Sequence, residues 1–168
     1  KKSNSSLIIL RNKSYYDFEL NLEVLIPTSG TFGINFRFID KYNYYTFLID
    51  KNSGNKILAK MQNGNFSILK KISDGGISLN QWHNIQIKVV LDKIFILMYD
   101  SENPKKTKSE NLIEFQDSTF TKGTIGIFVS NLLNFYFDNF SIKSIPCWSP
   151  WTPKEEKKIE IKNPNANI

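Results

Sequence analysis

The sequence predicts an all-β domain that folds as a two-sheet antiparallel sandwich. Apolar and polar residues alternate with a period of two in most apolar segments, and turn-forming residues recur about every 8 to 12 residues. No segment carries the apolar period of an amphipathic helix. The 168 residues include 13 Phe and 7 Tyr but only 2 Met, a composition that favours half-buried pleated strands over helices.

The first predicted strand runs from residue 15 to 24 and turns its polar residues outward. Those residues are Asp17, Glu19, Asn21 and Glu23. A Pro-Thr-Ser-Gly turn at 27–30 follows, and it predicts a hairpin over residues 26–39 in which apolar residues alternate with small or polar ones.

The remaining predicted strands follow one another as a meander. Residues 56–61 and 66–72 flank Asn63-Gly64, a strong signal for a two-residue hairpin turn. The other predicted strands cover residues 44–49, 83–91, 94–99, 112–115, 124–130 and 135–142. The lysine-rich segment 101–109 contains Pro104 and is predicted to be an exposed loop.

Six short segments, in this order and spacing, carry a family resemblance: 16–20, 36–38, 43–47, 81–85, 123–127 and 137–140. They resemble a concanavalin A-like jelly-roll domain, and most closely its laminin-G-like, pentraxin-like and sugar-hydrolase-associated modules. The resemblance implies a jelly-roll fold over residues 1–145, with Trp82 as a core tryptophan and Asp138 as a buried carboxylate that ties down a loop. It implies an activity only weakly, because these are core and turn positions.

Residues 146–168 form a tail of different composition. Its segment Trp148-Ser149-Pro150-Trp151 resembles the opening of a thrombospondin type 1 repeat, but Cys147 is the only cysteine. The tail is therefore either the truncated start of such a module or a linker whose tryptophans pack back onto the sandwich. Trp148 also resembles an acceptor for C-mannosylation.

The formal charge of +6 and the pI near 9.3 would suit an anionic partner. However, the combination of Lys with abundant Asn and Ile resembles proteins of AT-rich genomes such as those of apicomplexan parasites, and codon bias explains much of such a charge. No nucleic-acid motif is present, and no run of about 20 apolar residues predicts a membrane span. Sequons at Asn4, Asn12, Asn65 and Asn139 fit a secreted or cell-surface protein.

Catalytic chemistry has little support in the sequence. Glu19-Leu20-Asn21-Leu22-Glu23 is similar to the acid motif of glucanases with this fold, but the central Asp is replaced by Asn. Residues four apart on a strand lie about 13 Å apart, whereas glycosidase carboxyl pairs lie about 5 to 9.5 Å apart. Those glucanases shorten the separation by strand curvature and side-chain reach, so it is the lost Asp and the position of this strand near the start of the domain that weigh against hydrolysis. His83 has no second His or Cys beside it in the sequence.

The sequence therefore predicts a non-catalytic extracellular recognition or adhesion module that binds a glycan or a protein and adjoins other domains of a longer chain. The candidate binding residues are Lys41, Tyr42, Tyr44, Lys51, Asn52, Lys105 and Lys106. No cofactor is required, although calcium could be held by Asp50, Asn52 and Asp138, which offer the oxygen ligands that it prefers. The alternatives are a structural spacer and, third, a glycoside hydrolase that uses Glu19 and Glu23.

Overall fold

The computed structural model describes residues 5–101, 113–132 and 134–146, and these residues form eleven β-strands and no helix. Within them, no helix of membrane-spanning length and apolarity occurs. The strands are β1 Ser5–Ile9, β2 Phe18–Leu25, β3 Thr31–Asp40, β4 Asn43–Asp50, β5 Asn55–Gln62, β6 Asn65–Ser73, β7 Trp82–Val90, β8 Lys93–Asp100, β9 Ile113–Gln116, β10 Thr124–Ser130 and β11 Tyr136–Ser144.

The strands form two antiparallel sheets. One sheet has six strands in the order β1-β10-β3-β4-β5-β6, and the other has five in the order β11-β2-β7-β8-β9. Period-two alternation gives each sheet one apolar face, and the two apolar faces pack together as the core. The predicted all-β sandwich is confirmed.

The core is rich in aromatic rings, as the composition indicates. Tyr45 stacks on Phe36 with the ring centroids 5.5 Å apart, and Phe120 meets Tyr45 edge-on at 5.1 Å. Burial of each large apolar side chain contributes about 1.5 to 3 kcal/mol. Phe36 lies on β3, Tyr45 on β4 and Phe120 in the loop before β10. Their contacts therefore hold that loop against the sandwich.

The predicted hairpin over residues 26–39 is wrong. β2 and β3 lie in different sheets, so the turn at 27–30 carries the chain from one sheet to the other. The hairpins β3–β4, β5–β6 and β7–β8 are formed as predicted. β1 has no counterpart among the predicted strands, because its apolar run is only a few residues long.

Two side chains, Asp17 and Trp82, lie elsewhere than predicted from the sequence. Asp17 is buried rather than solvent-facing, and it pairs with Arg37, which is only 1% exposed. Trp82 is half-buried outside the core cluster, because residue 82 faces outward on β7. Its neighbour His83 faces inward, with Nδ1 2.7 Å from Asp100 Oδ1 and Nε2 2.9 Å from the Ser78 carbonyl oxygen.

Candidate functional site

The predicted rim residues Lys41, Tyr42 and Tyr44 lie at the turn between β3 and β4. The carboxylate of Asp40 accepts a hydrogen bond from the Tyr42 backbone N–H and so shapes this turn. Lys41 Nζ lies 4.7 Å from the centroid of the Tyr42 ring. Tyr44 stacks on Phe38 at 5.3 Å, and burial raises the pKa of its hydroxyl.

Lys51 and Asn52 lie at the opposite end of β4, in the turn to β5. Eight extended residues separate the two turns, which corresponds to about 25 Å. Lys51 Nζ donates a hydrogen bond to the Gly75 carbonyl oxygen at 3.1 Å. The structure therefore does not bring the two groups of rim residues into one site. Lys105, Lys106 and Trp148 lie outside the described residues.

The three candidate calcium ligands are also not brought together. Asp50 accepts hydrogen bonds from Thr31 Oγ1, the Asn52 backbone N–H and Ser53 Oγ, so its carboxylate organises the β4–β5 turn. Asp138 belongs to the other sheet. In the described ranges, no group of three or more His, Cys, Asp or Glu side chains is placed to hold a metal ion.

The prediction that Asp138 is a buried carboxylate is wrong. Asp138 is exposed, because β11 is the outer strand of its sheet, and its carboxylate accepts the neighbouring backbone N–H of Asn139 at 2.7 Å. Asn139 has a positive φ of 50° at a bulge in this strand. Segment 137–140 therefore forms a bulge in an edge strand and does not anchor a loop in the core.

The outer face of the five-stranded sheet carries a concentration of amide and carboxylate groups, which we name the amide face. Strand register places Glu23 opposite Asn84 and Asn21 opposite Gln86, and period-two alternation turns all of them away from the core. The amide face consists of Glu19, Asn21, Glu23, Asn84 and Gln86, all half-buried.

Hydrogen bonds join the amide face into two groups. Gln86 Nε2 donates to Glu19 Oε1 at 3.2 Å and to Asn21 Oδ1 at 3.0 Å. Asn84 Nδ2 donates to Ser101 Oγ at 2.7 Å, and that hydroxyl in turn donates to Glu23 Oε1 at 3.3 Å. These bonds hold the side chains in fixed orientations, and the lone pairs and N–H groups that they leave over are available to a ligand.

An apolar strip of β8 lies beside the amide face on the same side of the sheet. Tyr99 is directly opposite Asn84, and Leu97 is directly opposite Gln86. Phe95 continues the strip, and all three side chains are half-buried. We name Phe95, Leu97 and Tyr99 the aromatic strip. The amide face and the aromatic strip together form a surface with hydrogen-bonding groups on one side and apolar side chains on the other.

Glu19 and Glu23, the acids of the hydrolase alternative, lie on the amide face. Each carboxylate is hydrogen-bonded to an amide, Glu19 to Gln86 and Glu23 to Asn139. The two lie on the same strand and on the same face of the sheet, and Asn21 stands between them in place of the central Asp of the glucanase motif. Their hydrogen bonds tie Glu19 to β7 and Glu23 to β11, on opposite sides of β2.

The outer face of the six-stranded sheet has a different character. One row across it consists of Gly126, Asn35, Thr46, Ala59 and Ile68, in which only Asn35 and Thr46 are polar and both are buried. Thr46 is buried, and its Oγ1 has no hydrogen-bond partner in the part of the chain that the structure describes. The neighbouring row is mainly apolar and includes Phe128, Leu48 and Ile57. Because Asn35 and Thr46 are buried, the centre of this face offers a sugar few accessible hydrogen-bonding groups.

Asn84, Gln86 and Tyr99 are not among the binding residues predicted from the sequence. A signal for the first two was present, because polar residues alternate with Ile85 and Ile87 in the predicted strand. Their meeting with β2 and with Tyr99 depends on cross-strand register, which the alternation alone does not specify.

No protein-family model and no curated protein matches this chain. Among solved structures, the carbohydrate-binding module CBM66 from Bacillus subtilis is 21% identical with a TM-score of 0.66, and the alignment covers 83% of this chain and 82% of that one. Chicken galectin 2 is 12% identical with a TM-score of 0.58, covering 79% and 95% of the two chains.

A third similar structure is congerin II liganded with lactose and MES, which is 9% identical with a TM-score of 0.63 over 82% of this chain and 100% of that one. At these identities the likeness establishes the fold alone. The nearer likeness to laminin-G-like and pentraxin-like modules, the apicomplexan origin and the thrombospondin-like tail stay predictions. The chain has the two-sheet fold of the jelly-roll lectins, which is of the concanavalin A-like type that the sequence analysis predicts.

Proposed function

We propose that this domain is a non-catalytic glycan-binding module that holds its ligand on the amide face and the aromatic strip of the five-stranded sheet. One observation carries the proposal: Asn84 and Gln86, already oriented by neighbouring polar side chains, lie directly opposite Tyr99 and Leu97 on one half-exposed face.

The chemistry of this surface fits a sugar. Neighbouring hydroxyl groups of a sugar both donate and accept hydrogen bonds, and the amides of Asn84 and Gln86 can do the same. The carboxylates of Glu19 and Glu23 accept only. The C–H groups of a sugar ring form an apolar surface that would pack on the Tyr99 ring, since aromatic faces bury such groups well.

The comparisons support this proposal without specifying the ligand. The CBM66 structure is named as a carbohydrate-binding module, and congerin II was solved with lactose. The position on the five-stranded sheet rests on this chain's own residues, because the polar side chains at the centre of the outer face of the six-stranded sheet, Asn35 and Thr46, are buried.

We also propose that the module works outside the cell, as a recognition or adhesion part of a longer secreted or surface protein. The sequon residues Asn12, Asn65 and Asn139 are all exposed, so each is accessible to a glycosyltransferase. Mass spectrometry of the protein from its native source tests this: N-glycans at these positions would support the proposal, and unmodified peptides at all three would count against it.

Glycan binding is tested on an array that includes heparan sulfates, read with calcium and with a chelator. Titration calorimetry with a bound glycan then compares two matched pairs of variants. We expect Gln86→Ala and Tyr99→Ala each to weaken binding at least about tenfold, or about 1.4 kcal/mol. The controls Gln62→Ala and Tyr42→Ala, at exposed positions of the other sheet and its rim, should change affinity by less than about twofold.

Two results would overturn the proposal. If no glycan binds, the module is not a lectin. If Tyr42→Ala abolishes binding while Gln86→Ala and Tyr99→Ala do not, the ligand is held at the rim and the calcium arm of the array shows whether a metal is needed there.

A further inference from the structure

The open edge of β1 distinguishes it from the other sheet edges. Four strands formed by described residues lie at sheet edges: β1, β6, β9 and β11. Natural proteins protect such edges with charges, bulges or very short strands, because an open edge pairs readily with another strand.

The other three edges carry these protections. β6 presents the exposed Lys70 and Lys71, and its pairing with β5 has a register shift. β9 has an exposed Glu114 among its four residues. β11 is bulged at Asn139 and carries charges. By contrast, β1 is Ser-Ser-Leu-Ile-Ile, every residue of it is exposed, and it has neither a charge, a proline nor a bulge.

Every second residue of β1 directs its backbone N–H and C=O groups away from β10, where they can pair with a further strand. The Leu10 N–H donates to the Ile125 carbonyl oxygen just beyond β1, in continuation of the β1–β10 register. In an antiparallel pair, hydrogen-bonded residues alternate with residues whose N–H and C=O groups point the other way. Ser6 and Ile8 therefore face β10, whereas Ser5, Leu7 and Ile9 direct their backbone groups outward.

An apolar groove adjoins this edge. Its volume is about 160 Å³, and its lining includes Ile8 and Ile9 of β1 and Phe137 and Phe140 of β11. Leu7 is 40% exposed, Ile8 58% and Phe137 47%. The uncovered backbone groups and the apolar side chains thus lie on one side of the sandwich, between the edges of the two sheets.

Independently of the glycan-binding proposal, we infer that β1 pairs antiparallel with β1 of a second copy of this chain, with the two-fold axis at Leu7. Leu7 then faces Leu7 of the second copy, and Ser5 faces its Ile9. These are the residues whose backbone groups point outward, so each pair forms two N–H···O=C bonds. The two six-stranded sheets become one continuous sheet.

The choice of a second copy follows from charge and symmetry. A two-fold axis places like residues near like, which is unfavourable for a charged strand but favourable for this uncharged apolar one. The strand is short, and its midpoint Leu7 belongs to the outward-pointing set, so the symmetric register satisfies the backbone at both ends. The same axis brings Ile8 of each copy close to the edge groove of the other.

Sedimentation velocity of the complete 168-residue chain, over about a hundredfold range of concentration, is the first test. We expect a dimer that dissociates on dilution. Leu7→Lys should raise its dissociation constant at least about tenfold, while the matched control Ile68→Lys, on the protected β6 edge of the same sheet, should leave it unchanged. Both side chains are exposed, so neither variant disturbs the core.

A disulfide test fixes the register. In a Cys147→Ser background, Leu7→Cys should oxidise to a covalent dimer, because facing residues in such a pair have Cα atoms about 5.5 Å apart, within the range of a disulfide. Ile68→Cys should form no covalent dimer under the same conditions.

Amide hydrogen exchange separates this assembly from other occupants of the edge. In the dimer, Ser5, Leu7 and Ile9 become protected as concentration rises, while Ser6 and Ile8 are protected at all concentrations. A chain that is monomeric throughout overturns the inference, including the case in which residues 5, 7 and 9 are protected in the monomer by another segment of the same chain. A dimer that survives Leu7→Lys but is lost with Ile68→Lys overturns it as well.

Discussion

Arg37 Nη2 lies 3.3 Å from Asp17 Oδ1, and the two side chains are only 1% and 6% exposed. Burial lowers the pKa of the Arg37 guanidinium, while the nearby Asp17 carboxylate acts in the opposite direction. The guanidinium also donates to the carbonyl oxygens of Tyr16 and Phe120. The Arg37 side chain thus joins β3 to the residues just before β2 and to the loop before β10.

Arg37→Met should lower the free energy of unfolding by about 3 to 5 kcal/mol, because it leaves the Asp17 charge buried without its partner. Urea denaturation measures the change. Arg11→Met, at an exposed position, is the control and should stay within about 0.5 kcal/mol of the wild type. A loss below about 1 kcal/mol for Arg37→Met would show that the pair does not hold these elements together.

The environment of Asp117 determines how the stability of the domain changes at low pH. Burial alone would raise the pKa of its carboxyl group, but hydrogen bonds from Lys60, Thr119 and Tyr45 lower it to about 2 from the ordinary 3.8. The folded-state pKa is thus depressed, so the stabilisation is present above the unfolded-state pKa and is lost as the pH falls from about 4 to about 2.

Asp117→Asn should flatten this part of the stability curve. We expect the wild type to lose stability between about pH 4 and pH 2 more steeply than Asp117→Asn does, as measured by thermal unfolding across that range. Asp40→Asn is the control, since Asp40 is exposed. Parallel curves for the wild type and Asp117→Asn would contradict the assignment.

Gly123 is expected to tolerate no side chain. A Cβ atom there would lie 2.2 Å from the Arg37 backbone carbon and 2.5 Å from the Phe38 nitrogen, so the backbone itself would have to move. Gly123→Ala should therefore lower the free energy of unfolding by about 1 to 3 kcal/mol or more. Gly126→Ala, whose nearest contacts are at 3.1 Å, should have the smaller effect, and an equal or reversed order in chemical denaturation would refute the contact argument.

The domain should not hydrolyse the glycan that it binds. Asn21 replaces the central Asp of the glucanase motif, and the carboxylates of Glu19 and Glu23 are hydrogen-bonded to amides on opposite sides of β2. A reducing-end assay with the bound glycan should therefore show no turnover for the wild type or for Glu19→Gln. Turnover by the wild type that is lost in both Glu19→Gln and Glu23→Gln would establish the hydrolase alternative.

The sequence predicted the strands better than their partners. Alternation in residues 18–24 and the Asn63-Gly64 turn act locally, so the strands β2, β5 and β6 were predicted with nearly their observed bounds. The turn at 27–30 has equally clear turn chemistry, but reversal of the chain does not determine whether the next strand joins the same sheet or the other one.

The candidate site was harder to predict from the sequence, because strand pairing also determines which of its residues meet. Lys41 and Tyr42 stood out because aromatic and basic residues adjoin in the sequence, whereas the amide face is assembled from strands more than 60 residues apart, as in the bond between Gln86 and Glu19. The burial of Arg37 depends likewise on Asp17, twenty residues away. Neither relationship has a local pattern that would reveal it.

The most direct test of the central claim is a ¹H–¹⁵N NMR titration of the domain with a glycan that binds on the array. We predict that the side-chain amide signals of Asn84 and Gln86, with the backbone signals of Tyr99 and its neighbours on β8, shift in a saturable way while those of residues 41–44 and 51–52 do not. Saturable shifts confined to the rim, or to the outer face of the six-stranded sheet, would contradict the account.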